Sequence, residues 1–150
     1  MLRIGRLAAA VAIFGVDTAS KAWADAVLRG RGTIWIWRPW FSLYLLHNPG
    51  ATLGFGAGHP RLLIGVSALA VVALVALVWR VDRGGWGLAL MLGGAAGNLG
   101  SRLAHGAVTD FLRLWLWPGV FNLADVALRL GAILIVITLL RSAALPGPTE

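Results

Sequence analysis

The sequence predicts an all-α membrane protein, a four-transmembrane-helix bundle with a small sheet outside the membrane. Of the 150 residues, 59% are hydrophobic and only 13% are charged, whereas soluble domains average about a quarter charged residues. Four long apolar stretches follow one another along the chain, and a span needs roughly 20 such residues. A single intervening segment is rich in aromatic and β-branched residues, which favour strands. We therefore treat 1–150 as one integral membrane domain.

The apolar stretches place the predicted spans at about 7–25, 62–80, 85–103 and 120–141. The second stretch, LLIGVSALAVVALVALVW, carries no charge, whereas charged residues interrupt the first and the fourth. The third stretch is rich in small residues, and its Gly93 and Gly97 form a GxxxG pattern. This pattern indicates close packing between helices.

The segment at about 30–60 has a different character. TIWIW and WFSLYLL predict strands, and HNPGATLGFGAG predicts a loop. We expect a small sheet there, at one face of the membrane. The residues at about 142–150 are expected to form a disordered tail.

The distribution of basic residues predicts the orientation. The net charge of +7 comes from twelve Arg and one Lys against six acids. These residues are scattered singly, so nucleic-acid binding is not expected. Their density is greatest in the short segments on the side of the chain termini, which predicts that both termini are cytoplasmic. The residues on that side are Arg3, Arg6, Arg80, Arg83 and Arg141.

The first apolar stretch has two interpretations. Arg3 and Arg6, the apolar run 7–16 and the Ala-Trp-Ala motif at 22–24 resemble a cleavable signal peptide. Asp17 and Lys21, however, are spaced i, i+4 and share one helical face. Such a pair partly neutralises itself inside a bundle, which suits a helix that is retained.

Two carboxylates, Asp110 and Asp125, are predicted at the same membrane face. Asp110 follows the third span, Asp125 lies one turn into the fourth, and Pro118-Gly119 between them permits a chain reversal. Two carboxyls brought close cannot both stay ionised, so the pair holds a proton. An aspartic protease uses such a pair, because one acid takes a proton from water while the other polarises the scissile carbonyl. The alternative hypothesis is that each acid only caps a helix or a turn.

Other chemistries fit the sequence less well. The chain has no Cys, so a thiol nucleophile or thiolate metal site is excluded, and its three His residues show no metal-ligand spacing. Ser101 and His105 are i, i+4 and allow a Ser–His dyad, but no third group orients the His. Asn98 and Arg102, also i, i+4 near the outer end of the third span, are expected to hold the carboxylates or to orient a substrate backbone.

Four blocks carry a resemblance to a known family. They are VDTASKAW, HNPGATLGFGAG, GGAAGNLGSRLAHGAVTDFL and FNLADVALRLGAIL, in this order. Together they resemble the bacterial lipoprotein signal peptidases, signal peptidase II, along most of the chain. One departure is Ser101 in NLGSR, where the family usually carries an acid. The departure leaves a second hypothesis, a catalytically impaired paralogue that binds lipoprotein precursors or lipids.

The resemblance implies an extracytoplasmic β-cradle, a location in the bacterial inner membrane and an aspartic dyad at Asp110 and Asp125, with no metal or cofactor. The implied substrate is a prolipoprotein cut before its diacylglyceryl-modified Cys. Globomycin is expected to bind across the dyad, lipids are expected around the protein, and the chain is expected to be a monomer. The supporting residues that the resemblance implies are Asp17, Lys21, Asn48, Gly50, Asn98, Arg102, Asn122 and Ala124.

Overall fold

The structure, a computed structural model, describes residues 2–51, 56, 58–81 and 84–144. Within these residues it contains four long helices and three strands. The elements are α1 (Leu2–Leu28), β1 (Ile34–Trp37), β2 (Phe41–Asn48), α2 (Pro60–Arg80), α3 (Gly85–His105), β3 (Val108–Leu114) and α4 (Leu123–Ala144). The predicted helical architecture with a small sheet is confirmed.

The surface of the bundle is apolar. Among the described residues, Pro60–Arg80 and Leu123–Ala143 are long and apolar enough to cross a membrane, with mean hydropathies of 2.8 and 2.3. Leu62, Val66 and Leu69 on α2 are each more than half exposed. A continuous apolar surface of this kind suits contact with lipid.

Helix α3 lies at the centre of the bundle and packs on the other three helices. Gly93 faces α1, where an added Cβ would lie 2.6 Å from the carbonyl oxygen of Ala10. Gly94 faces α4, where an added Cβ would lie 2.5 Å from the carbonyl oxygen of Ala124. The close packing predicted from the GxxxG pattern is therefore confirmed, and a second glycine contact extends it to α4.

The start of α1 and the end of α4 lie at the same end of the bundle. Arg6 Nη1 donates to the carbonyl oxygen of Val81 at 3.0 Å, which joins the start of α1 to the end of α2. Gly84, directly before α3, faces Ile135 in the second half of α4. The sheet and the start of α4 consequently lie at the opposite end.

The sheet is antiparallel with the order β1-β2-β3. Strands β1 and β2 lie in the predicted segment, whereas β3 was not predicted. Beyond β3 the chain turns back, and Phe121 forms a bridge with Leu112 through hydrogen bonds of 2.8 and 2.9 Å. This bridge brings the start of α4 next to β3.

Several predicted boundaries differ from the observed ones. Helix α1 extends beyond 7–25 at both ends, and α4 starts at Leu123 because Asn122 caps it. Residues 142–144 of the predicted tail are helical, and the Ser142 hydroxyl donates to the Thr138 carbonyl within α4. Residues 145–150 lie outside the described residues, as do 52–55 and 57 of the predicted loop.

The glycine contacts predict a sharp difference between two helical positions. Gly93→Ala forces a Cβ against the Ala10 carbonyl oxygen and is expected to cost about 1–3 kcal/mol, the usual range for overpacking. Gly65→Ala on α2 is the matched control, because an added Cβ there has no neighbour within 4 Å. Thermal unfolding in detergent measures both variants. Equal Tm values would contradict this packing.

Candidate active site

The carboxyl group of Asp110 is bound by two amide side chains. The Asp110 side chain is buried on β3. Asn122 Nδ2 donates to Oδ1 at 2.6 Å, and Asn48 Nδ2 donates to Oδ2 at 3.1 Å. Each carboxyl oxygen therefore has one fixed donor, and the carboxyl group has a defined orientation.

Asp125 lies in the first turn of α4 and forms a reciprocal cap with Asn122. The backbone N–H of Asp125 donates to Asn122 Oδ1 at 3.0 Å, and the backbone N–H of Asn122 donates to Asp125 Oδ2 at 3.3 Å. Asn98 Nδ2 donates to the other carboxylate oxygen at 3.0 Å. The capping hypothesis thus holds for Asp125 without excluding a chemical role, whereas Asp110 lies in a strand and caps no helix.

The asparagine amides are oriented by their own oxygens. Asn48 Oδ1 accepts the N–H of Gly50 at 3.0 Å, and Asn98 Oδ1 accepts Lys21 Nζ at 2.8 Å. Since these oxygens and that of Asn122 are occupied, the NH₂ groups point to the acids. The three asparagines of the chain thus form one network around the two carboxyl groups.

A buried ion pair anchors this network to α1. Lys21 Nζ lies 2.7 Å from Asp17 Oδ2, as the i, i+4 spacing predicted. Asp17 Oδ1 accepts the backbone N–H of Ala124 at 2.8 Å. A carboxylate of α1 therefore satisfies a free N–H at the start of α4. Ala124 is completely buried, and its carbonyl oxygen lies against Gly94 of α3.

Arg102 fixes the loop that follows β2. Its Nη2 donates to the carbonyl oxygen of Gly50 at 3.0 Å, and its Nη1 lies 3.4 Å from the carbonyl oxygen of Asn98. Its hydrogen bonds thus go to backbone carbonyls, so it holds Gly50, and with it Asn48, close to α3.

Asp110 and Asp125 line one cavity of about 280 Å³. Because a water molecule needs roughly 30 Å³ of space, the cavity has room for water and a peptide group. Sequence reasoning found both acids but missed part of the wall. Arg129 lies one turn after Asp125 and stacks 4.5 Å from the centre of the Trp117 ring. The i, i+4 spacing to Asp125 could have revealed Arg129, whereas no local signal marks Trp117.

Burial changes the acid–base behaviour of Asp110. Loss of hydration and, to a smaller extent, the negative charge of Asp125 raise its pKa, which lies at about 6. The amides of Asn48 and Asn122 and the charge of Lys21 act in the opposite direction, but burial is the largest effect. Asp110 consequently retains a proton more readily than an ordinary carboxyl group does.

Ser101 does not belong to this site. Its hydroxyl donates to the carbonyl oxygen of Gly97 at 3.1 Å, within its own helix, and its side chain lines a different cavity. The Ser–His dyad that the i, i+4 spacing allowed gains no support, because the Ser101 hydroxyl is engaged with Gly97. Within the described residues, no three His, Cys, Asp or Glu side chains converge as a metal site requires.

Two acids that line one cavity at the end of an apolar bundle are typical of a membrane aspartic peptidase. Residues 9–141 match the family described as Signal peptidase (SPase) II. The lipoprotein signal peptidase of Moorella thermoacetica is 37% identical over 142 residues, which cover 92% of this chain and 94% of that protein. That of Gloeobacter violaceus is 40% identical over 140 residues, with coverages of 89% and 80%.

A solved structure has the same fold. It is described as a bacterial membrane enzyme determined by the in meso method at 2.3 Å, and it matches with a TM-score of 0.85 and 25% identity. The match covers 97% of this chain and 93% of that one. The chain therefore belongs to the signal peptidase II family, and it is a membrane peptidase.

The buried ion pair predicts a specific stability pattern. Lys21→Met leaves the Asp17 carboxylate buried without its cation and is expected to cost about 3–5 kcal/mol. The double variant Asp17→Asn/Lys21→Met should recover much of this loss, because Asn still accepts the Ala124 N–H. Thermal unfolding in detergent compares the two. A double variant no more stable than the single one would contradict the charge argument.

Proposed function

We propose that this protein removes signal peptides from diacylglyceryl-modified prolipoproteins by hydrolysis at Asp110 and Asp125. The cut lies directly before the lipidated Cys, at the extracytoplasmic face of the bacterial cytoplasmic membrane. The observation that carries the proposal is that both acids line one cavity and are held by the same amide side chain, that of Asn122. Family membership supports the same substrate class.

The proposed mechanism assigns one protonation state to each acid. Asp125 is ionised and takes a proton from water, whose oxygen attacks the carbonyl carbon. Asp110 is protonated, in line with its raised pKa, and donates to the carbonyl oxygen. The tetrahedral diol then collapses as Asp125 returns the proton to the leaving nitrogen and Asp110 recovers its own. No covalent intermediate forms.

The cavity wall supports binding of an extended peptide segment. A helical peptide bond is shielded by its own hydrogen bonds, so the cleavage segment must unwind before water can attack. The cavity lies between the residues that follow β2, Gly50 and Ala51, and the segment 117–120. In our proposal, the unwound segment of the substrate lies between these two walls, and the lipid chains of the substrate remain in the bilayer. Globomycin binds in the same cavity.

The proposed topology has four spans with both termini in the cytoplasm. Three observations support it. The start of α1 and the end of α4 lie at one end of the bundle, and the site lies at the other. Helices α1 and α3 have 27 and 21 residues, enough to span roughly 30 Å of hydrocarbon. The bonds of Asp17 and Lys21 to α4 and α3 support a first helix that is retained.

The impaired-paralogue hypothesis is not favoured. It rested on Ser101, which lines a different cavity from the two acids. Both acids and the amides that bind them are present. The departure at Ser101 therefore leaves the proposed chemistry intact.

Neutral substitutes for the acids test the proposal. Asp110→Asn and Asp125→Asn should each reduce cleavage of a diacylated precursor by about 10²–10⁴-fold, the usual contribution of a general acid or base. Both variants should remain folded in detergent. Asp82→Asn, placed between α2 and α3 in the sequence, is the matched control and should cleave normally. Full turnover by either dyad variant would remove the proposed mechanism.

The raised pKa of Asp110 predicts the pH dependence. Asp110 must carry a proton, so kcat/KM should be high below its pKa of about 6 and fall as the pH rises through it. Asn48→Ala removes a hydrogen bond that lowers this pKa, so the alkaline limb should move to higher pH. Initial rates over a pH series measure both. A limb that moves to lower pH in this variant would contradict the assignment.

A further inference from the structure

The two faces of the β2–β3 ladder border different cavities. Side chains alternate along a strand, so Asn48 and Asp110 face the catalytic cavity, whereas His47 and Thr109 face the opposite side. A second cavity of about 760 Å³ lies there, between α1, α3 and the back of the sheet. His47 and Thr109 are direct partners in the ladder.

A carboxylate of α1 joins these two strands. Asp25 Oδ1 lies 2.6 Å from His47 Nε2, and Asp25 Oδ2 accepts the Thr109 hydroxyl at 3.0 Å. One side chain therefore bonds both members of a single rung. His47 and Thr109 are the direct sequence neighbours of Asn48 and Asp110.

The geometry of the catalytic face depends on this rung. Asn48 is paired with Val108 and Asp110 with Leu46, so the hydrogen bond between Asn48 and Asp110 runs diagonally across the ladder. A diagonal contact is sensitive to any sliding of one strand along the other. The ladder is also irregular between Leu43 and Leu46, where β2 contains one extra residue. Such a bulge disrupts the local pairing. The contacts of Asp25 with His47 and Thr109 restrain the two strands just beyond it.

We propose that Asp25, His47 and Thr109 form a positioning clamp that fixes the β2–β3 rung and so keeps the Asn48 amide on Asp110. The clamp residues and the two acids line different cavities, so the clamp acts on the acids through the sheet. The effect of the clamp on catalysis rests on the proposed function. The other charged or titratable groups at this cavity are Lys21, Arg29 and His105. Lys21 is bonded to Asp17 and Asn98, and Arg29 lies 3.8 Å from Asp25.

Kinetics of conservative variants test the clamp. Asp25→Asn and Thr109→Val should lower kcat by about ten- to a hundredfold, as small misplacements of reacting groups do, with KM unchanged. Thr138→Val is the matched control, because it loses only a hydroxyl bond within α4. His47→Gln keeps a donor for Asp25 and should retain more activity than His47→Leu. Unchanged kcat in both Asp25→Asn and Thr109→Val would overturn the clamp.

The pH profile separates positioning from general stabilisation. Without the clamp Asn48 no longer bonds Asp110 reliably, so the alkaline limb of kcat/KM should move to higher pH, as in Asn48→Ala. The double variant Asp25→Asn/Asn48→Ala should be no slower than Asn48→Ala alone. A purely structural role would lower Tm and leave the limb in place. That result, or additive losses in the double variant, would overturn the proposal.

Amide hydrogen exchange measures the clamp without a cleavage assay. Exchange at residues 46–48 and 108–110 should be faster in Asp25→Asn than in the unaltered protein and unchanged in Thr138→Val. If the protein does not cleave the precursor but shows this pattern, the proposed function fails and the clamp of the rung is supported. Unchanged exchange in Asp25→Asn would overturn the clamp whatever the cleavage assay shows.

Discussion

The site depends on the two hydrogen bonds that the side chain of Asn122 forms with Asp110 and Asp125. Its NH₂ group donates to Asp110 and its oxygen accepts the backbone N–H of Asp125, so one residue joins the strand acid to the helix acid. Its placement requires the Phe121 bridge to β3 on one side and the first turn of α4 on the other. Since Asn122 is completely buried, loss of either bond would leave an unpaired polar group in the protein interior.

The rest of the bundle makes this arrangement possible at a membrane edge. Acids near hydrocarbon are costly, and here their cost is offset by donors from three helices and the sheet. Glycines on both sides of α3 let α1 and α4 approach closely. The approach places Asp17 at the start of α4 and Lys21 beside Asn98. The close packing of the helices therefore determines the geometry of the site.

Much of the fold could be predicted because lipid imposes local rules on the sequence. Apolar length predicted the helices, and i, i+4 spacings pointed to the Asp17–Lys21 pair and to Asn98. Asn122 was indicated by the family resemblance. Strand β3, VTDFLRL, was missed because a short strand of mixed apolar and polar residues between two spans has no local signature. Its identity depends on pairing with β2. Asp25 was missed for the same reason, since its partners in β2 and β3 are distant in sequence.

Asp110 is a buried carboxyl group whose pKa is raised by burial and by the charge of Asp125. Carboxyl-selective ¹³C NMR of the protein labelled at aspartate tests this most directly, because the chain has only five Asp residues. Asp110 should titrate at about 6, and its pKa should fall in Asp125→Asn because the neighbouring charge is removed. An Asp110 signal that titrates near the ordinary value of about 3.9, and does not respond to that substitution, would contradict the account.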